Sequence, residues 1–234
     1  MKKYIAGLLL LLLVACHKEP ENTILPEYAD WYAIKAPEAR AIEAVYGDLD
    51  QTLVIATAFT IYQTKDRGKT WQTTYKSDRG LFGFSLKQDT LLVFGAQSGV
   101  ALDSMTAYAV NPFQYSLDQG TTWNRYINRR PDFEIKVARN VVTTPSKTEY
   151  SIDYLLTPVS PGSTTSNYVE SVGIKTSSGR LLTLPNDHQI TSLYVDSKSR
   201  LYVTASAPLC GRLKNFAFCG DQNGILYISK NPQP

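Results

Sequence analysis

Few residues in this 234-residue sequence belong to the types that catalyse reactions or bind metals. There are two histidines, His17 and His188, and three cysteines. Neither histidine lies in an H-E-x-x-H motif, and no two cysteines have the C-x-x-C spacing of a zinc site. The nucleophile motif G-x-S-x-G and the glycine-rich phosphate loop are also absent. The sequence therefore predicts no metal, no cofactor and no catalytic residue.

One of the cysteines, Cys16, ends an N-terminal segment with the features of a targeting signal. The segment MKKYIAGLLLLLLVAC has two lysines, an apolar run and small residues at its end. The run is shorter than the roughly 20 residues of a membrane-spanning helix. Its last four residues, LVAC, resemble the bacterial lipobox, whose cysteine becomes the lipidated first residue of the mature protein. We expect residues 1–16 to be a lipoprotein signal peptide and Cys16 to carry palmitate; an ordinary cleaved secretory signal is the alternative.

The other two cysteines, Cys210 and Cys219, lie close together in the segment LCGRLKNFAFCG. If the signal exports the chain, both are outside the reducing cytosol, in a compartment where disulfides persist. We expect a local disulfide between them, with two free buried thiols as the alternative.

The charge of the chain does not indicate nucleic-acid binding. Its 24 basic and 21 acidic residues nearly balance, and the excess falls further once Lys2 and Lys3 leave with the signal. A nucleic-acid partner would require a strongly basic surface. The expected location is the bacterial cell envelope, with a lipid anchor in the outer membrane, on its periplasmic or its surface side.

After the signal, the sequence has the pattern of a tether followed by short strands. Residues 17–28, HKEPENTILPEY, are polar and contain prolines, which favours a flexible tether. Further on, segments rich in Val, Ile, Tyr and Thr, such as TLVIAT and RLYVTAS, alternate with turns rich in Gly, Asp and Ser. This pattern predicts an all-β domain over residues 29–234.

One eight-residue turn occurs twice among these strands. TKDRGKTW begins at Thr64 and SLDQGTTW begins at Ser116. Weaker copies begin at Thr176 and Ser229, so the turn recurs roughly every 50 to 60 residues, as in repeat folds. Each turn follows further strand segments. Each unit is therefore expected to form a four-stranded antiparallel sheet with the turn before its last strand.

The pattern S/T-x-D-x-G-x-T-W resembles the Asp-box, or BNR repeat, of the β-propellers found in sialidases, sortilin-like receptors and photosystem assembly factors. The resemblance implies a hairpin between the third and fourth strands of a blade, with glycine at positive φ and tryptophan packed between blades. It implies a structural role for ten residues: Thr64, Asp66, Gly68, Thr70, Trp71, Ser116, Asp118, Gly120, Thr122 and Trp123.

The two chain ends suggest how such a ring would close. The fourth unit ends at SKNPQP without a strand after its turn, whereas the segment around Trp31 resembles a fourth strand without a box. If the two ends complete one blade, the fold is a small β-propeller of four four-stranded antiparallel blades, without an open edge there. Five blades are the alternative, if a strand pair in the long third unit is independent.

The resemblance also places the candidate binding residues. In a propeller, the loops between successive blades share one end of the ring with the loops between second and third strands, opposite the Asp-boxes. Here the loops between blades contain PEAR, SDRG, NRRPD and PNDH. Loops on a rigid scaffold often carry binding residues, and arginine suits a guest with carboxylates or phosphates. The candidates are Arg40, Arg79, Arg129, Arg130, Asp132, Asp187 and His188. Ordinary solvated turn charges are the alternative.

Three functions fit these features. The first, which we favour, is an envelope lipoprotein whose propeller binds or assembles a protein or glycan partner. The second is a glycan-active, sialidase-like hydrolase, although the Arg-Ile-Pro motif typical of sialidases is absent and four blades are fewer than their usual six. The third is a structural envelope protein without a small ligand.

Overall fold

The structure of the protein is a computed structural model that describes residues 27–98, 106–127, 135–163 and 166–234. The signal peptide with Cys16, most of the tether, and the candidate residues Arg129, Arg130 and Asp132 lie outside the described residues. In the part of the chain that is described, no helix is long and apolar enough to cross a membrane.

The first described strand, β1 (Trp31–Lys35), has no partner among the strands that follow it directly. The first sheet is built from β2 (Ala44–Gly47), β3 (Leu53–Ala56), β4 (Thr60–Thr64) and β5 (Gln72–Lys76). The second is built from β6 (Gly83–Lys87), β7 (Thr90–Ser98), β8 (Tyr108–Ser116) and β9 (Asn124–Arg125), and β10 (Val137–Ala138) pairs with the other end of β8. Both sheets are antiparallel, and each has its chain neighbours side by side.

The third sheet follows the same order, with β11 (Val141–Thr143), β12 (Glu149–Pro158), β13 (Asn167–Thr176) and β14 (Leu181–Leu182). The fourth begins with β15 (Ile190–Val195) and β16 (Leu201–Ala205). A separate hairpin of β17 (Leu209–Gly211) and β18 (Ala217–Phe218), with a 3-10 turn at Leu213–Asn215 between them, precedes β19 (Ile225–Ser229). The only helical element in the described chain is that turn.

The fourth sheet is completed by the two ends of the described chain. Its order is β1-β19-β16-β15, and β1 runs antiparallel to β19 with Trp31 opposite Ser229 and Lys35 opposite Ile225. The four sheets form a ring. β2 of the first contacts β6 of the second and β15 of the fourth, and β11 of the third contacts β15; between the second and third sheets, the amide of Arg139, just before β11, donates to the Ala107 carbonyl beside β8 (2.8 Å). The prediction of a four-bladed all-β propeller is confirmed, and the five-bladed alternative is not.

The apolar core lies between adjacent blades. One cluster joins the fourth blade to the first and includes Ile34, Leu53 and Tyr202, with Trp71 packed against it. Another joins the first blade to the second and includes Val54, with Trp123 packed against it. Each fully buried side chain of this kind contributes roughly 1.5 to 3 kcal/mol. The stability of each blade therefore depends on its neighbours, and the ring depends on its closure.

The two complete Asp-boxes have the same internal hydrogen bonds. In the first, the Thr64 hydroxyl donates to Asp66 Oδ1 (2.7 Å) and accepts from the Gly68 amide (3.0 Å). Asp66 then accepts from both the amide (2.9 Å) and the hydroxyl (2.6 Å) of Thr70. The second box repeats every one of these bonds with Ser116, Asp118, Gly120 and Thr122. Each carboxylate thus ties the two ends of its turn together.

The glycine and tryptophan of each box join neighbouring blades. Gly68 has a φ of +82°, and a Cβ there would lie 2.4 Å from Cγ2 of Ile34 in the fourth blade. The indole nitrogen of Trp123 donates to the Thr74 hydroxyl of the first blade (3.2 Å) and to the Gly120 carbonyl (3.1 Å). In the two weaker copies Thr176 and Ser229 bond locally, without an aspartate.

The Asp-box carboxylates should make folding stability depend on pH in acid. Hydrogen bonds from Thr70 lower the pKa of Asp66 to about 2, and those from Thr122 lower that of Asp118 to about 2. An unfolded aspartate has a pKa near 3.9, roughly. The stabilisation is therefore complete above about pH 4 and is lost as the pH falls towards 2.

We expect the Asp66→Ala, Asp118→Ala double variant to lose about 1 to 2 kcal/mol per site at pH 7 and to show a weaker loss of stability between pH 4 and 2 than the parent. Urea unfolding at several pH values measures both effects. Asp78→Ala is the control, because the Asp78 side chain is largely exposed. An acid dependence identical to that of the parent would contradict the assignment.

Candidate binding site

The strands divide the connections between two faces of the ring. The loop-bearing face carries the connections between blades and those between second and third strands. The Asp-box face carries the turns at 64–71 and 116–123 and the hairpins between first and second strands. β1 runs from the Asp-box face, where Trp31 lies opposite Ser229, towards the loop-bearing face. The described chain therefore enters the ring on the Asp-box face.

Two of the candidate arginines lie exposed on the loop-bearing face, each over an aromatic ring. The guanidinium carbon of Arg40 is 5.4 Å from the centre of the Phe59 ring, and that of Arg79 is 5.0 Å from the centre of the Phe113 ring. Arg40 has no ion pair with any described residue, and Arg79 has only an exposed contact of 3.4 Å with Asp78. Such exposed pairs contribute little energy, so both guanidinium groups are available to a ligand.

The turn that carries Phe59 is held in place by the loops on either side. The Ser77 amide donates to the Phe59 carbonyl (2.8 Å), and the Leu81 amide donates to the Ala58 carbonyl (3.0 Å). On the other side, the Thr57 hydroxyl donates to the Glu38 carboxylate. The loops of Arg40 and Arg79 are therefore fixed to the same turn, and the two side chains belong to one pre-organised surface.

A partly buried ion pair links the connection that carries Arg40 to another loop of this face. Arg139, in the connection from β10 to β11, donates from Nη2 to Glu43 Oε2 (2.8 Å) and lies 5.5 Å from the Phe82 ring centre. Burial raises the pKa of the Glu43 carboxyl, and the charge and hydrogen bond of Arg139 oppose that rise. Nε of Arg139 is buried and has no hydrogen-bond partner in the described structure. This ion pair links the first blade to the connection that leads into the third blade.

Two of the other candidates have partners within the protein. Asp187 is exposed and accepts from Nη2 of Arg212 (2.7 Å). His188 is only 2% exposed, and its ring nitrogens bond to the Ser206 carbonyl (2.8 Å) and the Tyr227 hydroxyl (2.9 Å). Burial lowers the pKa of His188. The structure therefore places His188 inside the protein, where it cannot meet a ligand, and we leave it out of the binding surface.

The β17–β18 hairpin projects from the same face and is fastened by a disulfide. Cys210 and Cys219 are bonded, with their Cα atoms 5.0 Å apart, which confirms the predicted pair. At the tip of this hairpin, the Phe216 ring is half exposed and packs edge-on against Phe218 at 5.1 Å. Leu213, also at the tip, has a φ of +53°. The hairpin presents an apolar tip on the same face as the arginines.

The described side chains do not place three or more histidine, cysteine, aspartate or glutamate residues where they could hold a metal ion. Together, the exposed arginines and the hairpin tip can bind an anionic group and an apolar group, respectively. They contain no arrangement of nucleophile and base.

No family model and no curated protein sequence matches the chain. Sixteen chains of solved structures match it, and the following two are among them. One is the extracellular domain of the putative one component system BT4673 from B. thetaiotaomicron, with 14% identity and a TM-score of 0.26; the match covers 71% of this chain and 20% of that one. This chain thus spans about a fifth of that structure's length. The other is YCF48 bound to D1 peptide, with 16% identity and a TM-score of 0.36, covering 87% of this chain and 98% of that one. At these scores neither likeness carries an argument, and the four-bladed ring rests on the sheets described above.

Proposed function

We propose that the protein is a cell-envelope lipoprotein whose propeller is a binding or assembly module for a protein or glycan partner. Its contact surface is the loop-bearing face, and the guest carries carboxylate or phosphate groups. The observation that carries this proposal is the pair of exposed arginines, Arg40 and Arg79, each over an aromatic ring and neither held by a buried carboxylate.

The contact with a ring suits these arginines to recognition. A guanidinium held over an aromatic ring by a cation–π contact can still direct its N–H groups to a carboxylate. The ring also restricts the side chain before binding, so less conformational entropy is lost when the guest arrives. By sequence, Arg129 and Arg130 belong to the next loop between blades, outside the described residues, and would add two further basic groups.

The apolar tip of the disulfide hairpin favours a protein partner over a purely polar one. Phe216 is 53% exposed, and aromatic anchors on pre-organised loops are typical of protein interfaces. Arg212 and Lys214 flank the tip, so a complementary partner surface is apolar with acidic groups at its rim. Such a surface agrees in charge with the guest inferred for the arginines.

The proposed lipid anchor is compatible with this use of the loop-bearing face. A tether from a lipidated Cys16 would join the described chain at Glu27, ahead of β1 on the Asp-box face. The loop-bearing face would then point away from the membrane that holds the anchor. Palmitate labelling of the Cys16→Ala protein tests the anchor itself, and labelling equal to that of the parent would refute it.

We expect an Arg40→Ala, Arg79→Ala double variant to lose binding of acidic probes while it keeps its melting temperature. Suitable probes are a sialic-acid-terminated trisaccharide and a peptide with three successive glutamates. Fluorescence anisotropy measures the binding of each. Hydrogen bonds to a charged group contribute roughly 1.5 to 3 kcal/mol each, so loss of two should weaken binding at least about a hundredfold.

The Asp66→Ala, Asp118→Ala variant is the matched control, because it should lose stability before it loses affinity. The reverse pattern would place the site on the other face, and a parent protein that binds neither probe would contradict the proposed guest. Release of free sugar from the trisaccharide by the parent protein would favour the hydrolase instead.

A further inference from the structure

The protein has a second concave site, on the Asp-box face between the first, second and fourth blades. This cavity has a volume of about 370 Å³, within the range of roughly 300 to 1,000 Å³ that small-molecule sites occupy. The first, second and fourth blades line it through their first-to-second strand hairpins and the second Asp-box. It lies opposite the arginines of the loop-bearing face, and nothing in the proposed function uses it.

Two tyrosines form one wall of the cavity. Tyr46 on β2 and Tyr194 on β15 have ring centres 5.7 Å apart and planes inclined by 55°. Burial raises the pKa of both hydroxyls, so both rings stay neutral at physiological pH. The wall therefore offers aromatic faces and uncharged hydroxyl groups.

Two leucines at the mouth continue this apolar wall. Leu86 is 50% exposed and Leu117 is 67% exposed, while Val54 and Leu91 lie deeper and are buried. A single exposed leucine needs no explanation. Two beside an aromatic pair, at the mouth of a cavity, provide a surface for the apolar side of a ligand.

The charged groups of the cavity exclude an anion. Its only charged lining residues are Asp48 and Asp89, and no described lysine or arginine lines it. Asp48 is already neutralised, because its oxygens accept from Nη2 of Arg200 (2.5 Å) and Nζ of Lys198 (3.0 Å). Asp89 is exposed and has no ion pair with a described residue. A ligand therefore meets one unpaired carboxylate, which repels negative charge and accepts hydrogen bonds.

The remaining lining groups are uncharged and polar, and they include Gln51, Thr52, Gln119 and Ser197. A wholly apolar ligand would leave such groups without hydrogen bonds, at a cost. A cationic ligand would gain only an exposed ion pair with Asp89, which contributes little in water, because Asp48 is already paired with two cations. The combination fits a molecule with an apolar face and several hydroxyls.

We propose that this cavity binds a neutral saccharide of one or two rings. The sugar's C–H face lies against the wall of Tyr46, Tyr194 and the two leucines, and its hydroxyls bond to Asp89 and the glutamine amides. The two faces of the ring therefore take guests of different charge. This site does not depend on the anion-binding surface, and the Arg40→Ala, Arg79→Ala variant should leave it unchanged.

The test is saturation-transfer NMR and calorimetry on the intact protein with three probes: methyl β-glucoside, the matching methyl glucuronoside, and choline. We expect saturable binding of the glucoside, with the glucuronoside at least about tenfold weaker because its carboxylate meets Asp89. Asp89→Asn should reduce that discrimination.

Variants of the exposed leucines give the matched control. Leu86→Ala, Leu117→Ala should weaken glucoside binding by at least about fivefold, whereas Leu155→Ala, Leu181→Ala, which are similarly exposed elsewhere, should not. No saturable glucoside binding, equal binding of the glucuronoside, tighter binding of choline, or equal effects of the two leucine pairs would each overturn the proposal.

Discussion

A variant that begins at Glu38, and therefore lacks β1, should fail to form a soluble domain that melts cooperatively. β1 is the outer strand of the fourth blade, and its Trp31 and Ile34 side chains are buried. Without it, the fully buried strand β19 becomes an exposed edge, which is a template for aggregation. Truncation of a buried tryptophan alone costs roughly 3 to 5 kcal/mol, a large share of the 5 to 15 kcal/mol, roughly, that stabilises a domain.

The control is a variant that begins at Glu27, which keeps the whole strand. Circular dichroism melts and size-exclusion chromatography of the two proteins give the comparison. A shortened protein that is monomeric and melts in one cooperative step would show that the chain ends do not close the ring.

Replacement of Arg200 by methionine should be the most destabilising single substitution that leaves the apolar core intact. The Arg200 side chain is 8% exposed and joins the β15–β16 hairpin of the fourth blade to the β2–β3 hairpin of the first. It donates from Nε to Asp196 (2.8 Å), from Nη2 to Asp48 (2.5 Å) and from Nη1 to Asp50 (2.8 Å). The Asp196 carboxylate is also buried and accepts from the Tyr202 hydroxyl (2.8 Å).

Arg200→Met leaves the carboxylate of Asp196 buried without its cation, which costs roughly 3 to 5 kcal/mol. The matched control is Lys198→Met, which removes a half-exposed cation from Asp48 and Asp50 and should cost far less, because exposed ion pairs contribute little. Urea unfolding of both variants measures the difference. Equal losses would mean that the buried network does not hold the first and fourth blades together.

The features predicted correctly from the sequence are those with local patterns. The strand at Trp31 could be inferred because Trp31, Ile34 and Pro37 resemble a fourth strand without its box and the last unit lacked such a strand. The disulfide could be inferred because Cys210 and Cys219 lie close together in one loop. In both cases a short segment of sequence carries the necessary information.

The buried charge clusters could not be predicted in this way. Glu43 and Arg139 are 96 positions apart, and Arg200 and Asp48 are 152 apart, so their pairing exists only after the ring has closed. The sequence does show a charged residue, Arg139, within the strand-like segment VARNVV, but it does not indicate which residue pairs with it. The NRRPD segment predicted as the loop between the second and third blades ends at Asp132, before Arg139.

The binding surfaces could be predicted only in part from the sequence. His188 lies in a loop, and a loop position does not tell whether a side chain turns inward; here Ser206 and Tyr227 bind it inside the protein. The cavity on the Asp-box face could not be predicted from the sequence, because its lining comes from the hairpins of three blades. Tyr46 and Tyr194 are far apart in sequence, and ring closure brings them together.

The most direct test of the proposed binding face is a backbone-amide NMR titration of the folded protein with the three-glutamate peptide. We expect chemical-shift changes at the Phe59, Ser77 and Arg79 amides on the loop-bearing face. The shifts of the Gly68 and Gly120 amides in the Asp-box turns should not change. Shift changes concentrated at Gly68 and Gly120, or no saturable change at the loop-bearing face, would contradict it.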